Sequence, residues 1–302
     1  MPVHPAIVPG ILLRVAFVVL AAGHLASLQT SAAQVADAPA TAATDLPDAT
    51  GTATGDAVIE TTQPADAKPI EKARESYLGR VVAQPMSHRG ASWLIRPNRD
   101  EEENASESFQ NLGLEPGMVV CDLGCGNGYW TLPMARKVGE KGAVYAVDIQ
   151  QEMLRKLNQR ADRFELKNIR PVLGTIDNPK LPVGAIDMLL MVDVYHEFSH
   201  PESMLWEIRR ALKPTGVIAL LEYREEDLEV PIKPLHKMSK RQIMKEYQAN
   251  GFKLVREYNE LPWQHLMFFA RDDSPLAEIE PEPADAVLKR LQSSTPNGTV
   301  NE

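Results

Sequence analysis

Residues 118–128 read Met118-Val119-Val120-Cys121-Asp122-Leu123 and then Gly124-Cys125-Gly126-Asn127-Gly128, and no other stretch restricts the fold as tightly. The apolar run suits a strand buried on both faces, as in a parallel sheet. After Gly128 the spacing turns helical, with Leu132, Ala135 and Val138 on one face. Glycines at a strand-to-helix turn allow positive φ and let the backbone approach a ligand, which the free amides and positive dipole end of the helix then face. The spacing is G-x-G-x-G, whereas dinucleotide folds use G-x-G-x-x-G.

Three further strand ends carry acidic residues. The run 143–147 ends at Asp148, where a carboxylate can accept from both hydroxyls of a ribose. A strand near 170–173 leads into Gly174-Thr175-Ile176-Asp177, and the run 186–192 leads into Asp193-Val194-Tyr195-His196-Glu197-Phe198. Taken singly, each has an ordinary reading: a tight turn, a solvated strand end, a capped turn beside Asn178 and Pro179. Taken in order, they resemble the class I S-adenosylmethionine-dependent methyltransferases, whose first motif is an acidic residue followed by G-x-G-x-G. The resemblance implies a Rossmann-like, doubly wound α/β fold, with a mostly parallel seven-stranded sheet and helices on both faces. It implies S-adenosylmethionine as cofactor. Gly124, Gly126 and Gly128 would lie along its methionine end, Asp122 would orient its amino group, Asp148 would take the ribose and Asp177 the adenine amine. Asp193, at the tip of the fourth strand, would face both cofactor and substrate.

Later residues continue the alternation of helix and strand. Ser199-His200-Pro201-Glu202 reads as a helix start, followed by Met204, Leu205, Ile208 and Leu212 at helical spacing and a stop at Lys213-Pro214-Thr215-Gly216. Residues 217–221 read as a fifth strand, 241–249 as a helix closed by Asn250-Gly251, and 252–258 with 266–270 as the last two strands. A helix is expected over 98–111, covering the cofactor or substrate side.

The flanks differ in composition. Arg14, the apolar run 15–23 and the small residues Ser31 and Ala33 read as an export signal over residues 1–33, too short in its apolar part for the about 20 residues of a membrane span. The reading is an exported, periplasmic or secreted protein that touches membrane only through an uncleaved leader; an inactive leader would leave it cytoplasmic. Residues 34–67 are rich in Ala, Thr, Asp and Pro and read as a disordered linker, and 272–302 as an acidic disordered tail in which Ala284 to Leu291 can form a short helix, which leaves 68–271 as the working domain. The linker carries −6 and the tail −5 of a total of −9, so the domain is almost neutral. That balance gives no basic footprint for a nucleic acid, and a small or lipid-like acceptor is expected.

Both cysteines, Cys121 and Cys125, lie in the glycine motif and are expected as free thiols, because a disulfide would cross the backbone that cradles the cofactor. They form no thiolate set, and no metal is expected. Methyl transfer needs an aligned nucleophile and, for an alcohol, a base. His196 is the candidate base, with Glu197 assisting and Asp193 at the strand tip. Tyr195, Tyr223, His236 and His265 are candidates for the acceptor pocket, with Glu222 and Trp263 nearby. Competing readings are a cofactor-binding relative without turnover and a nicotinamide-dependent dehydrogenase.

Overall fold

The computed structural model describes residues 73–294. The chain divides into units 1–67 and 68–302, and the described residues lie in the second. The export signal and the linker read from the sequence fall outside them.

A two-residue hairpin, β1 (Ser76–Tyr77) with β2 (Arg80–Val81), comes first. Two short helices follow, α1 (Arg99–Glu103) and α2 (Ala105–Asn111). The single helix expected over 98–111 is broken at Asn104, whose φ of 53° is left-handed and ends α1. Next come β3 (Val119–Leu123), α3 (Thr131–Val138), β4 (Ala143–Asp148), α4 (Gln151–Arg163), β5 (Ile169–Leu173) and β6 (Ile186–Val192). Then follow α5 (Pro201–Ala211), β7 (Leu212–Tyr223), α6 (Lys240–Ala249), β8 (Phe252–Tyr258), β9 (Gln264–Arg271) and α7 (Ala284–Ser294).

Seven strands form one sheet in the order β5-β4-β3-β6-β7-β9-β8, parallel except for β9, which runs antiparallel to β7 and β8. The order reverses between β4 and β6, on either side of β3, and such a switch point opens a crevice at the carboxyl ends of the strands. Side-chain alternation sorts each strand between two cores. On one face, Leu189, Met191, Ile218, Leu220, Met267 and Phe269 pack with α5 and α6 residues such as Leu205, Ile208, Ile243 and Tyr247. On the other, Val120, Val144, Leu190, Ala219, Leu221 and Phe268 pack with α2 and α3 through Ala105, Trp130, Met134 and Val138, while Ala146 meets Leu154 and Leu157 of α4. Each fully buried Leu or Ile is worth about 2 kcal/mol relative to exposure.

The hairpin is tied to α6 by a buried bidentate pair, Arg80 with Glu246 at 2.8 and 3.0 Å. Residues 272–294 correct the reading of an acidic disordered tail. The Ile279 amide donates to the Leu254 carbonyl at 2.9 Å, Lys240 Nζ donates to the Glu282 carbonyl at 2.8 Å, and Val287 of α7 is fully buried. Composition suggested disorder because acids outnumber bases and apolar residues are few, yet Asp272 and Asp273 pair with Arg209 and Arg290 pairs with Glu260 on the body of the fold. Among the described residues, no helix is long and apolar enough to cross a membrane.

Candidate functional site

The crevice at the switch point holds a cavity of about 330 Å³. Its floor is the glycine turn. Gly124 (φ 76°) and Gly126 (φ 52°) both line it, and a Cβ on either would collide, at 2.5 Å from Val194 Cγ2 and 2.6 Å from Leu94 Cδ1. The amides of Gly124 and Cys125 donate to the Val147 carbonyl at 2.8 and 3.0 Å, which pins the turn to the end of β4. Gly128 (φ 86°) lies outside the cavity, and its missing Cβ makes room for Leu157 of α4. Its part is helix packing.

Asp148 lines the cavity while accepting from two amides, Gly126 at 3.0 Å and Gln150 at 2.8 Å. Burial, the largest influence, pushes its carboxyl up, against the pull of those amides. Asp122, by contrast, is not in the lining. It sits one layer below, its carboxylate accepting from the Thr131 hydroxyl at 2.5 Å, and burial pushes its pKa to about 6. Asp177 is outside the lining as well and accepts from Thr175 Oγ1 at 2.6 Å. Thr175 and Ile176 take the cavity wall at that strand end.

Asp193 lines the cavity in a left-handed conformation (φ 52°), a strained setting for a non-glycine residue that the surroundings hold in place. Gln264 Nε2 donates to both its oxygens at 2.9 Å, and Arg99 lies 3.7 Å away. Burial first, then the charges of Glu103 and Glu222, hold its carboxyl well above the usual range. Glu197 reaches the cavity wall, accepts from the Met86 amide at 3.2 Å, and is pushed up to about 7, chiefly by burial.

His196 stands behind Glu197, fully buried and outside the lining. Its Nδ1 is 2.7 Å from Glu222 Oε2 and its Nε2 is 3.0 Å from His236 Nδ1. Burial, the largest influence, works against the charged ring, but the Glu222 charge and hydrogen bond outweigh it and the pKa is raised. His236 is half-buried, and burial together with His196 lowers its pKa.

None of the four expected pocket residues lines the cavity: His236 stands against His196, and the other three belong elsewhere. Tyr195 is buried in the α5/α6 core, where its hydroxyl donates to Glu246 at 2.9 Å and its ring meets Phe198 and Tyr247. Tyr223 points to the opposite face of the sheet and donates to Glu103 at 2.6 Å. His265 pairs with Glu222 in register but lies against Glu226 at 3.1 Å. Alternation along β7 and β9 decides this: Glu222 and His265 share one face, Tyr223 and Gln264 the other.

The cover expected from 98–111 does not line the cavity, and the roof comes from earlier in the chain. Residues 82–86 and Leu94 cover the cavity, held by the Ala83 amide donating to the His196 carbonyl at 3.1 Å. Gln150 clamps the same segment: its Nε2 donates to the Met86 carbonyl and its Oε1 accepts from the His88 amide, both at 2.8 Å. Only its position two residues after Asp148 could have drawn attention to it.

Comparison with known proteins identifies the domain and its fold. A family model described as a methyltransferase domain matches residues 114–267. Demethylmenaquinone methyltransferase of Geobacillus sp. (strain WCH70) is 26% identical over 166 residues, covering 55% of this chain and 68% of that protein. The same enzyme from Geobacillus stearothermophilus is 25% identical over 194 residues, covering 64% and 81%. A ubiquinone/menaquinone biosynthesis C-methyltransferase of Shewanella sp. (strain ANA-3) is 28% identical over 150 residues, covering 49% and 55%. Among solved structures, a SAM-dependent methyltransferase from Aquifex aeolicus superposes with a TM-score of 0.58 at 26% identity, over 61% of this chain and 98% of that one.

Proposed function

This chain belongs to the methyltransferase-domain family and is a methyltransferase that uses S-adenosylmethionine, and on that premise we propose that it methylates a small, apolar, quinol-like acceptor at carbon or oxygen. The observation that carries the reading is a single cavity in which a glycine cradle, three carboxylates and an apolar wall meet. The cradle fits the cofactor, because Gly124 and Gly126 line the cavity at positive φ, and their missing Cβ atoms let Val194 and Leu94 close in as neighbouring parts of the wall. When bound, S-adenosylmethionine supplies an electrophilic methyl group on a sulfonium.

Asp148 would hold the ribose and the backbone of Gly124 and Gly126 would lie along the methionine end, with Thr175 and Ile176 on the adenine side. Asp122 acts from below by fixing Thr131 at the start of α3. Val82, Pro85, Met86, Phe198 and Met204 form the apolar wall, suited to a ring or a prenyl-like chain. Glu197 is the member of the acid–base cluster that faces an acceptor, held by the Met86 amide, with the His196–Glu222 pair behind it. The relatives named above act on quinone-type compounds, which supports such an acceptor here. Export remains part of the proposal, and sequencing the mature N-terminus in the native organism tests it.

The deciding experiment incubates the purified full chain with S-adenosylmethionine tritium-labelled at the methyl group. Short-chain demethylmenaquinol analogues, catechols, simple phenols and fatty acids serve as acceptors. Label is expected in a quinol or phenol. Binding of S-adenosylhomocysteine with no label in any acceptor would favour a protein that holds the cofactor without turnover, and the acceptor reading would fail.

A further inference from the structure

Two loops at the edge of the cavity bring three metal-ligand side chains together. His196, Glu197 and His236 each offer one ligand atom, and these atoms lie within 4.8 Å of one another. The closest pair, His196 Nε2 and His236 Nδ1, is 3.0 Å apart, with the rings at 86°. The pair is within hydrogen-bond distance, and two nitrogens bound to one ion at about 2.1 Å stand about 3.0 Å apart at about 90° and about 3.4 Å at the tetrahedral angle, so a small opening of the pair admits an ion.

The surroundings are built for the same purpose. Glu222 is fully buried and places Oε2 2.7 Å from His196 Nδ1, so the proton belongs on Nδ1 and the Nε2 lone pair faces His236 Nδ1. The Glu222 carboxylate is itself fixed, its Oε1 accepting from the Tyr195 and His196 amides at 2.8 and 3.3 Å. A carboxylate set behind a buried imidazole is the usual outer-shell partner of a ligating histidine. His236 belongs to a short helical turn, Pro234–His236, half-buried and free of the sheet ladder, so its ring can turn toward an ion without disturbing the core. Glu222, Glu197 and Asp193 set a negative field at His196, and Lys233 is the cation acting on His236.

We propose that His196, Glu197 and His236 form a binding site for one first-row divalent transition-metal ion, with Glu222 orienting His196 and the open coordination positions turned toward the cavity through Glu197. Two imidazoles and one carboxylate suit zinc, cobalt or iron(II), whereas magnesium and calcium prefer all-oxygen sets. The absence of a metal expected from the two cysteines does not bear on this site, whose donors come from loops far apart in sequence. The proposal goes beyond the methyl-transfer reading, which requires no metal ion.

The test uses the full chain expressed without an affinity tag, stripped with a chelator and titrated with Co²⁺ and then Zn²⁺. One Co²⁺ per chain is expected, with visible d–d absorption that Zn²⁺ abolishes and Mg²⁺ leaves unchanged. His236→Ala and Glu197→Gln should each weaken Co²⁺ binding at least about tenfold, with far-ultraviolet circular dichroism confirming that both variants are folded. Absence of a Co²⁺ band in the parent chain, or parent-like affinity in both variants, would overturn the site. S-adenosylhomocysteine binding, measured on the stripped protein, reports separately on the methyltransferase reading.

Discussion

Glu222 and His196 are bound to each other at 2.7 Å, and both are buried beneath the cavity. The carboxylate also accepts from two backbone amides of the loop after β6, so one side chain of β7 fixes both the path of that loop and the orientation of its histidine. Glu222→Ala should therefore leave three buried donors without a partner and cost roughly 3 kcal/mol or more. Glu222→Gln, which keeps an acceptor, should cost clearly less. Urea denaturation of both variants checks this, and equal, small losses would show that the loop is held by other contacts.

Gly124 and Gly128 have similar backbone angles but different neighbours, and alanine should separate their roles. At Gly124 a Cβ enters the cavity wall beside Val194, so Gly124→Ala is expected to lower S-adenosylhomocysteine affinity at least about tenfold, with about 1–3 kcal/mol of strain. At Gly128 it presses on Leu157, so Gly128→Ala should cost similar stability and leave most of the affinity. Calorimetric titration with denaturation of each variant decides the matter. Equal losses of affinity would mean that the turn responds as one unit.

Asp122 gives a pH dependence with a definite sign. It ionises at about 6 in the fold, against about 3.9 when unfolded. Between those values the native state keeps a proton that the unfolded chain has lost, so this group's contribution to stability declines as the pH rises from about 4 to about 6 and is constant above. Asp122→Asn retains an acceptor for the Thr131 hydroxyl and removes the titration. Relative to the parent, it should gain on the order of 2–3 kcal/mol between about pH 4 and pH 7, read from urea midpoints across that range. A difference independent of pH would place the ionisation elsewhere.

Tyr195 belongs to the core, and Tyr195→Phe tests that placement. It removes the donor to Glu246 and should cost about 1 kcal/mol, with KM for the methyl acceptor unchanged. A large rise in KM with stability intact would return Tyr195 to the acceptor pocket.

The sequence by itself determined the strand, the glycine turn and the helix that follows, because a buried apolar run and positive-φ glycines have few alternatives. It also located Asp148, Asp193 and Glu197, which stand at or just after strand tips. The fold class followed from the order of these pieces together with the family resemblance.

Only the tertiary structure decided which side chains face the cavity. At the tip of β7, adjacent residues point to opposite faces of the sheet, so Glu222 meets His196 while Tyr223 meets Glu103. His236, forty positions further along the chain, comes within 3.0 Å of His196, and Gln150 clamps a roof segment more than sixty residues upstream. Such pairings depend on sheet register and loop closure, which are set by the packed cores as a whole and leave no local pattern in the chain.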